Sequence, residues 1–430
     1  MAAAEPAPAR WQTPFFTLWS SQALSLFGSS LVHFALIWWL TSTTQSATVL
    51  ALASLVGLLP NVILAPLAGV VVDRFNRKWL MLLSDGVVAL VTLGLAYLFA
   101  TGAAQIWHVY LALFIRSAAG TVQFPAVQAS TSLMVPEAQL ARVAGLNQML
   151  NGGMGIVAPP IGALLLQTLP LQGILAIDVG TAALAIGILI LVRIPQPRRQ
   201  PAATGSAAPS FFGELNGGLR YVMGWPGLVI ILLMAMAINL LLTPAASLLP
   251  ILVTKHFNGG VGQLATAEAA FGIGVVAGGL LLGVWGGFKR RIYTALVGLM
   301  GLGLGFLLVG LMPARAFLPA LGFVFLAATM NSMTNGPLFA ILQATVAPEM
   351  QGRVFSLIGA LSSAMAPVGL AIGGPVADTF GVQSWYVLGG VACLLIGLAC
   401  FFIPAVMQLE DRPSDSSAGL APAVPAAAAD

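Results

Sequence analysis

Long apolar segments alternate with short polar connections along almost the whole chain. Each apolar segment holds about 20 residues or more, and an α-helix of that length crosses the roughly 30 Å hydrocarbon core of a bilayer. The pattern therefore predicts an all-α integral membrane protein with twelve transmembrane helices. The predicted spans cover residues 15–40, 48–72, 79–100, 107–127, 141–167, 171–192, 227–253, 265–286, 292–312, 317–339, 351–377 and 384–407.

Polar and proline-rich segments divide these spans into two groups of six. Residues 1–192 form the predicted N-terminal half, and residues 227–407 form the predicted C-terminal half. The connection at 193–226 starts with a Pro/Arg-rich stretch that is typical of a flexible cytoplasmic linker. Within it, apolar residues recur at helical spacing over 211–223, which predicts an amphipathic helix on the inner membrane surface. The Ala/Pro/Ser-rich tail at 408–430 is expected to be disordered in the cytoplasm.

Two motifs occur once in each half. The first, a glycine followed by a run of charged residues, lies at 69–78 and again at 283–291. The second begins with Pro-Glu at Pro136 and again at Pro348, and continues to a glutamine and an Arg-Val pair. Copies separated by a constant offset of about 212 residues are the mark of an internal duplication. The repeat predicts two pseudo-symmetric six-helix halves.

Charge sets the expected orientation. The chain is 59% hydrophobic and only 7% charged, too few charges to cover a soluble globule. With both termini placed in the cytoplasm, all but three of the 17 lysines and arginines lie on the cytoplasmic side. Because basic residues accumulate in cytoplasmic loops, we predict this topology. The excess of basic residues then needs no nucleic-acid partner, and the polar N-terminus lacks the apolar core of a cleaved signal peptide.

Three motifs give the chain a named resemblance. Gly69-x-x-x-Asp73-Arg74-x-x-Arg77-Lys78 resembles the signature of the major facilitator superfamily, with Asn76 where a glycine is usual. Arg116-x-x-x-Gly120 is similar to the second superfamily motif, with Ala119 in place of its glutamine. Met154-x-x-x-Ala158-Pro159-x-x-Gly162-Ala163 resembles the antiporter motif of drug exporters, although Met154, Ala158 and Ala163 replace three glycines. Over residues 15–407 the chain resembles bacterial macrolide-efflux and siderophore-export proteins, which implies a bacterial plasma or inner membrane.

The resemblance implies a cytoplasmic gate between the halves. In this fold Asp73 comes close to the start of the eleventh span, where the helix dipole favours an anion. The alternative is a solvated loop charge. The residues expected to form the gate are Gly69, Asp73, Arg74, Arg77, Lys78, Glu349 and Arg353.

Arg116 is the central candidate for energy coupling. It lies near the middle of the fourth span, where a charge costs about 2.5–3.5 kcal/mol on insertion scales. The resemblance implies a role in substrate or proton coupling, and the alternative is a packing role. Asp178 is the first candidate for the proton-carrying group because no basic residue is near it in sequence, and His33 is the second. For Asp178, as for Asp85, a structural role is the alternative.

Polar side chains recur at steps of three or four within several spans, which places each set on one helix face. Such faces avoid lipid, so we expect them to line a central substrate cavity. The competing explanation is hydrogen bonding between helices, worth about 0.6 kcal/mol each on average. The expected cavity residues are Gln22, Ser25, Ser29, Gln123, Asn147, Asn151, Asn239, Asn331 and Asn335. By contrast, the glycine pairs Gly274/Gly278 and Gly279/Gly283 predict close helix packing.

Several functional classes fit the sequence poorly. No lysine follows a phosphate-binding glycine loop, which excludes a pump that uses ATP directly. None of the three histidines is followed by a glutamate or lies near a second histidine, so we expect no metal, no cofactor and no enzyme. We predict a monomeric secondary active exporter, a proton antiporter that moves amphiphilic, neutral or weakly cationic molecules such as macrolide-like drugs by alternating access. The alternatives are a siderophore or lysophospholipid cargo and, in other classes, a channel, a scramblase or a membrane-embedded enzyme.

Overall fold

The computed structural model describes residues 11–196 and 211–411, and all regular elements in these two ranges are helical. The first ten residues, the linker segment 197–210 and the tail from 412 onward lie outside the described residues, with the parts of the linker and tail predictions that fall there. The helices are α1 (Gln12–Thr44), α2 (Ala47–Arg74), α3 (Arg77–Ala100), α4 (Ile106–Met134), α5 (Glu137–Thr168), α6 (Leu171–Leu191), α7 (Phe211–Met223), α8 (Pro226–Ser247), α9 (Leu249–Ile251), α10 (Val261–Trp285), α11 (Arg291–Leu311), α12 (Phe317–Thr345), α13 (Pro348–Phe380), α14 (Val382–Phe401) and α15 (Pro404–Met407).

The predicted fold of twelve transmembrane helices is confirmed. In the described ranges, eleven helices are long and apolar enough to cross a membrane. The twelfth is α4, whose 29 residues give it ample length, while Arg116 and several polar side chains lower its apolar character. It packs against both α2 and α3, inside the first bundle. Six spanning helices therefore precede α7 and six follow it.

Two predicted spans end earlier than expected. The seventh, predicted over 227–253, is divided into α8, the short α9 and a π-helical turn over Leu252–His256. The twelfth, predicted over 384–407, ends as α14 at Phe401, and α15 follows as a separate turn. Pro250 and Pro404 stand in the first turns of α9 and α15, where the missing N–H of proline is tolerated while the preceding helix is interrupted.

The two halves meet along two helix pairs. Within the first half, α1 packs against α5 and α6, and α3 packs against α4 and α6. Within the second, α11 packs against α12 and α14, and α8 packs against α13. Between the halves, α2 packs against α13 and α5 packs against α10. In the first of these pairs, Gly374 near the end of α13 packs on Thr48 and Ala51 at the beginning of α2.

Small residues allow the second half to pack closely. A Cβ atom added to Gly274 of α10 would lie 2.6 Å from the carbonyl oxygen of Phe325 in α12. Gly278, one turn later, faces the backbone of Thr329 in the same way. The packing predicted for this pair is therefore confirmed, but the same prediction is wrong for Gly279 and Gly283, which have open space where a side chain would be. Cys393 and Cys400 are buried and free.

Candidate functional site

A buried ion pair joins α4 and α6 in the first half. The Nη1 atom of Arg116 lies 2.6 Å from Oδ2 of Asp178, and the two side chains are 11% and 0% exposed. Ser29 of α1 donates to Asp178 Oδ1 at 3.0 Å, and Thr92 of α3 donates to Oδ2 at 3.1 Å. Arg116 also bonds the Thr92 hydroxyl. Four helices thus supply one polar group each, and we name this set the Arg116 layer.

A second buried carboxylate lies further along α1, α3 and α4, and its hydrogen-bond partners are uncharged. Asp85 of α3 is 3% exposed. It accepts a hydrogen bond from Gln22 Nε2 of α1 at 3.1 Å and one from Gln123 Nε2 of α4 at 2.6 Å. Gln123 Nε2 also donates to the side-chain oxygen Oε1 of Gln22 at 3.0 Å. We name Gln22, Asp85 and Gln123 the Asp85 layer.

The two layers are stacked with a common spacing. Ser29 follows Gln22 by seven residues on α1, Thr92 follows Asp85 by seven on α3, and Arg116 precedes Gln123 by seven on α4. Seven residues make about two turns, so the layers lie roughly 10 Å apart along the helices. The predicted topology puts the Asp85 layer nearer the cytoplasm. The structure therefore brings Gln22 and Gln123 together and joins Ser29, Arg116 and Asp178 separately.

Other predicted residues lie along the same face of α1. Ser25 is buried, one turn from Gln22 and one turn from Ser29. His33 is exposed and follows Ser29 by a further turn. On α2, Asn61 is a polar residue outside the predicted set. Its side-chain N–H donates to the Ser117 hydroxyl at 3.1 Å, and its side-chain oxygen accepts from the Thr121 hydroxyl at 2.9 Å.

The five predicted asparagines are dispersed. Asn147 of α5 accepts a hydrogen bond from the Trp19 indole at 2.7 Å, which joins α5 to α1. The side chains of Asn151, Asn239 and Asn335 each bond a backbone carbonyl one turn earlier in their own helix. Asn335 also contacts the Asn331 side chain at 3.0 Å. These residues do not join either layer.

The residues of the predicted gate bond mainly within their own half. Lys78 Nζ donates to the carbonyls of Ile190 and Val192 at 2.8 and 2.9 Å, which caps the end of α6. Arg77 Nη1 donates to the Ala129 carbonyl of α4 at 2.6 Å. Gly69, Asp73 and Arg74 are exposed on the last part of α2.

On the opposite helix of the predicted gate, Arg353 packs against Gly217 and Gly218 of α7. The side chain of Glu349 lies outside the described part of the structure. Among the contacts of the described residues, none joins Asp73 to α13.

The other end of the same helix pair is closed. Asp378, in the last turns of α13, accepts hydrogen bonds from the backbone N–H groups of Ala47 and Thr48, both at 2.8 Å, and from the Ser46 hydroxyl at 2.9 Å. A carboxylate of the second half thereby caps the N-terminus of α2 in the first half. Lys255 lies 3.9 Å from the same carboxylate. The arrangement favours an anion, because free N–H groups and the positive end of the helix dipole meet there.

Two further carboxylates, Asp378 and Glu268, are not among the predicted site residues. Asp378 lies just beyond the predicted eleventh span, and its role depends on a contact more than 300 residues away in sequence. Glu268 lies inside the predicted eighth span. An acidic residue within an apolar segment is the sequence feature that could have identified it as a candidate. It is half-buried on α10, one turn before Gly272, which packs on Gly155 and Ile156 of α5. Over the described ranges, no group of three potential metal ligands is present.

These contacts define what the site can do chemically. The Arg116 layer holds a charge pair in a desolvated position, where adding or removing a proton or a cationic ligand changes the electrostatic energy strongly. The Asp85 layer holds one carboxyl group between amides that both donate and accept. The closed end of α2 and α13 is a contact that must separate if the halves are to open there.

Comparisons with known proteins agree with this architecture. The family model of the Major Facilitator Superfamily matches residues 18–247 and 243–428, and the two matches together include residues of every spanning helix. Macrolide efflux protein A of Streptococcus pyogenes is 34% identical over 405 residues, covering 93% of this chain and 98% of that protein. The multidrug efflux pump Tap of Mycolicibacterium fortuitum is 26% identical over 404 residues, covering 89% and 94%. A POT family transporter solved with 5-aminolevulinic acid superposes with a TM-score of 0.72 at 11% identity, over 93% of this chain and 98% of that one.

Proposed function

Because the chain belongs to the major facilitator superfamily, and is therefore a multi-pass membrane transporter, we propose that it exports amphiphilic small molecules in exchange for protons. The cargo class is that of macrolide-like drugs. The support for the class comes from the macrolide and multidrug efflux relatives, which align along nearly their whole length. The observation that carries the proton coupling is the buried Arg116–Asp178 pair.

The coupling step acts through the charge pair. A buried carboxylate beside a guanidinium is stabilised in its charged form, and removing either charge leaves the other unpaired at a cost of about 3–5 kcal/mol. A proton or a cationic cargo that binds or leaves nearby changes the electrostatic energy of this pair, so that the pair responds to both transported species. Because Ser29, Thr92, Arg116 and Asp178 belong to different helices, a change in this pair is transmitted to α1, α3, α4 and α6 together.

Alternating access uses the two ends of the α2–α13 pair in turn. In the structure, Asp378 caps the start of α2, which holds the halves together at that end. In the opposite state, we propose that Asp73 meets the start of α13 and that the Asp378 contacts are broken. The halves then rock about a site near the middle of the membrane, as is general for transporters built from two repeats.

The decisive experiment is uptake of radiolabelled erythromycin into inside-out proteoliposomes. With an acidic interior, wild-type protein should accumulate erythromycin, and nigericin should abolish the accumulation. A pH difference of one unit corresponds to about 1.4 kcal/mol, so one-for-one exchange should give an accumulation of about tenfold. Accumulation driven by a sodium gradient and insensitive to pH would refute proton coupling.

Cargo and class are tested in the same vesicles. Counterflow of erythromycin against unlabelled erythromycin is expected, since a carrier couples opposed fluxes while a channel or scramblase does not. If a hydroxamate siderophore or a lysophospholipid competes in counterflow and unlabelled erythromycin does not, the macrolide assignment is wrong.

A further inference from the structure

The Asp85 layer has no place in the coupling step described above. Asp85 is almost as deeply buried as Asp178, yet its bonding partners are the neutral amides of Gln22 and Gln123. A charged carboxylate that loses its water without gaining a cation is disfavoured by desolvation. Asp178, by contrast, has the guanidinium of Arg116 at 2.6 Å. Of the two carboxyl groups, Asp85 is therefore the one whose surroundings accept a proton.

The amides can satisfy either form of the Asp85 carboxyl group. When Asp85 is ionised, both Nε2 groups donate to it, as the structure shows. When Asp85 is protonated, its hydroxyl can donate to Gln22 Oε1 after rotation of that amide, and the other carboxyl oxygen still accepts from Gln123. The rotation breaks the bond from Gln123 Nε2 to Gln22 Oε1. Both oxygens of the buried Asp85 carboxyl group therefore keep a hydrogen-bond partner in either form, and the N–H groups that change partner belong to the half-buried glutamines.

The charged groups around the layer keep their distance. Arg116 and Asp178 lie about two turns away toward one end, and His33 lies further along α1. Arg77 and Lys78 lie about two turns away toward the other end, and both donate to backbone carbonyls. Within the part of the chain that the structure describes, none of these groups bonds the Asp85 carboxylate. Gln22 and Gln123 are half-buried, so the layer is shielded without being sealed.

We propose that Asp85 carries the transported proton, while the Arg116–Asp178 pair stays ionised in the described state; this inference rests on the proposed proton-coupled export. When cargo binds, the Asp85 O–H bond breaks and the proton passes to water on the side of the α2–α3 turn, leaving the carboxylate held by Gln22 and Gln123. After the halves rock, one proton from water on the opposite side reforms the O–H bond. One proton thus crosses the membrane per cycle, opposite to the cargo.

The test measures proton release on addition of erythromycin to purified protein in weakly buffered detergent, followed across pH. Wild-type protein should release protons, Asp85→Asn should lose most of this release, and Asp85→Glu should retain it with a displaced pH profile. The matched control is Glu137→Gln, which neutralises an exposed carboxylate at the start of α5 and should release as much as wild type. Asp85→Ser gives the same readout if Asp85→Asn is not recovered from membranes.

Counterflow in proteoliposomes separates coupling from folding. Asp85→Asn should retain erythromycin counterflow, which needs no net proton movement, while losing accumulation driven by a pH gradient. Undiminished proton release from Asp85→Asn overturns the inference, and so does loss of release together with counterflow, because that result assigns Asp85 a structural role. If wild-type protein itself releases no protons, the proposed proton coupling fails instead.

Discussion

At the residue scale, two intramembrane charges neutralise each other in one ion pair. Arg116 and Asp178 are 62 residues apart in sequence and form a direct pair. Each would be costly alone, and together they are held by hydroxyls of Ser29 and Thr92. Asp178 has no basic residue near it in sequence, yet its ion-pair partner is the intramembrane Arg116.

The pair predicts a non-additive mutational effect. Arg116→Ala should destabilise the protein by about 3–5 kcal/mol, because Asp178 is left charged and buried, and adding Asp178→Asn should restore much of the loss. The measurement is thermal unfolding of the single and double variants in detergent. A double variant no more stable than Arg116→Ala would contradict the structural pairing.

Transport should follow a different order from stability. Arg116→Lys keeps the charge without the planar fork and should retain partial erythromycin accumulation, whereas Arg116→Ala and the double variant should accumulate none.

At the element scale, glycine position decides how closely helices approach. Gly274 and Gly278 lie on the face of α10 that meets α12, where Thr329 and Ser332 also donate to backbone carbonyls of α10 at 3.1 and 2.9 Å. Gly279 is the next residue along the chain but points to open space. The same residue type therefore has opposite tolerance at adjacent positions.

This contrast gives a matched pair of variants. Gly278→Ala should destabilise the protein by about 1–3 kcal/mol, because the new methyl group meets the Thr329 backbone and the helices must separate. Gly279→Ala should leave stability unchanged. Thermal shift and gel filtration after heating compare the two, and equal losses would show that the α10–α12 contact is not as close as described.

At the scale of the whole molecule, the α2–α13 pair has a carboxylate at each end. Asp378 on α13 caps the start of α2, and Asp73 on α2 lies at the end where α13 begins. In the structure Asp378 contacts the start of α2, whereas no contact among the described residues joins Asp73 to α13. We therefore propose that the two acids stabilise opposite states of one rocking motion.

Loss of the Asp378 cap should shift the molecule toward the state that is open at that end. Hydrogen bonds to a charged group contribute about 1.5 kcal/mol or more, so Asp378→Ala should favour the separated state by about tenfold. Thr43 and Phe380 are both exposed near this end. Spin labels attached to cysteines introduced at these two positions report the distance between them by electron paramagnetic resonance. Thr379→Ala is the control, since the Thr379 hydroxyl bonds only carbonyls of its own helix. An unchanged distance distribution in Asp378→Ala would remove this contact from the conformational equilibrium.

The sequence by itself determined the architecture of this protein. Apolar length fixed the number of spans, because every backbone polar group within a bilayer must be bonded inside its own helix. The duplicated motifs gave the two halves, and the signature around Asp73 pointed to the superfamily before any contact was known. The predicted ends of the seventh and twelfth spans were wrong. Hydropathy averages over Pro250 and Pro404, where the backbone hydrogen bonds of the helix are interrupted.

Only the tertiary structure decided which polar residues act together. Helical spacing placed Gln22, Ser29, Arg116 and Gln123 on faces, but it does not specify which faces meet, since that depends on rotation and crossing of helices distant in sequence. Packing paired Asp178 with Arg116 and left Asp85 with two amides, and on this difference we propose Asp85 instead of Asp178 as the proton carrier. Packing also joined Asp378 to the start of α2, a contact between halves that no local pattern contains.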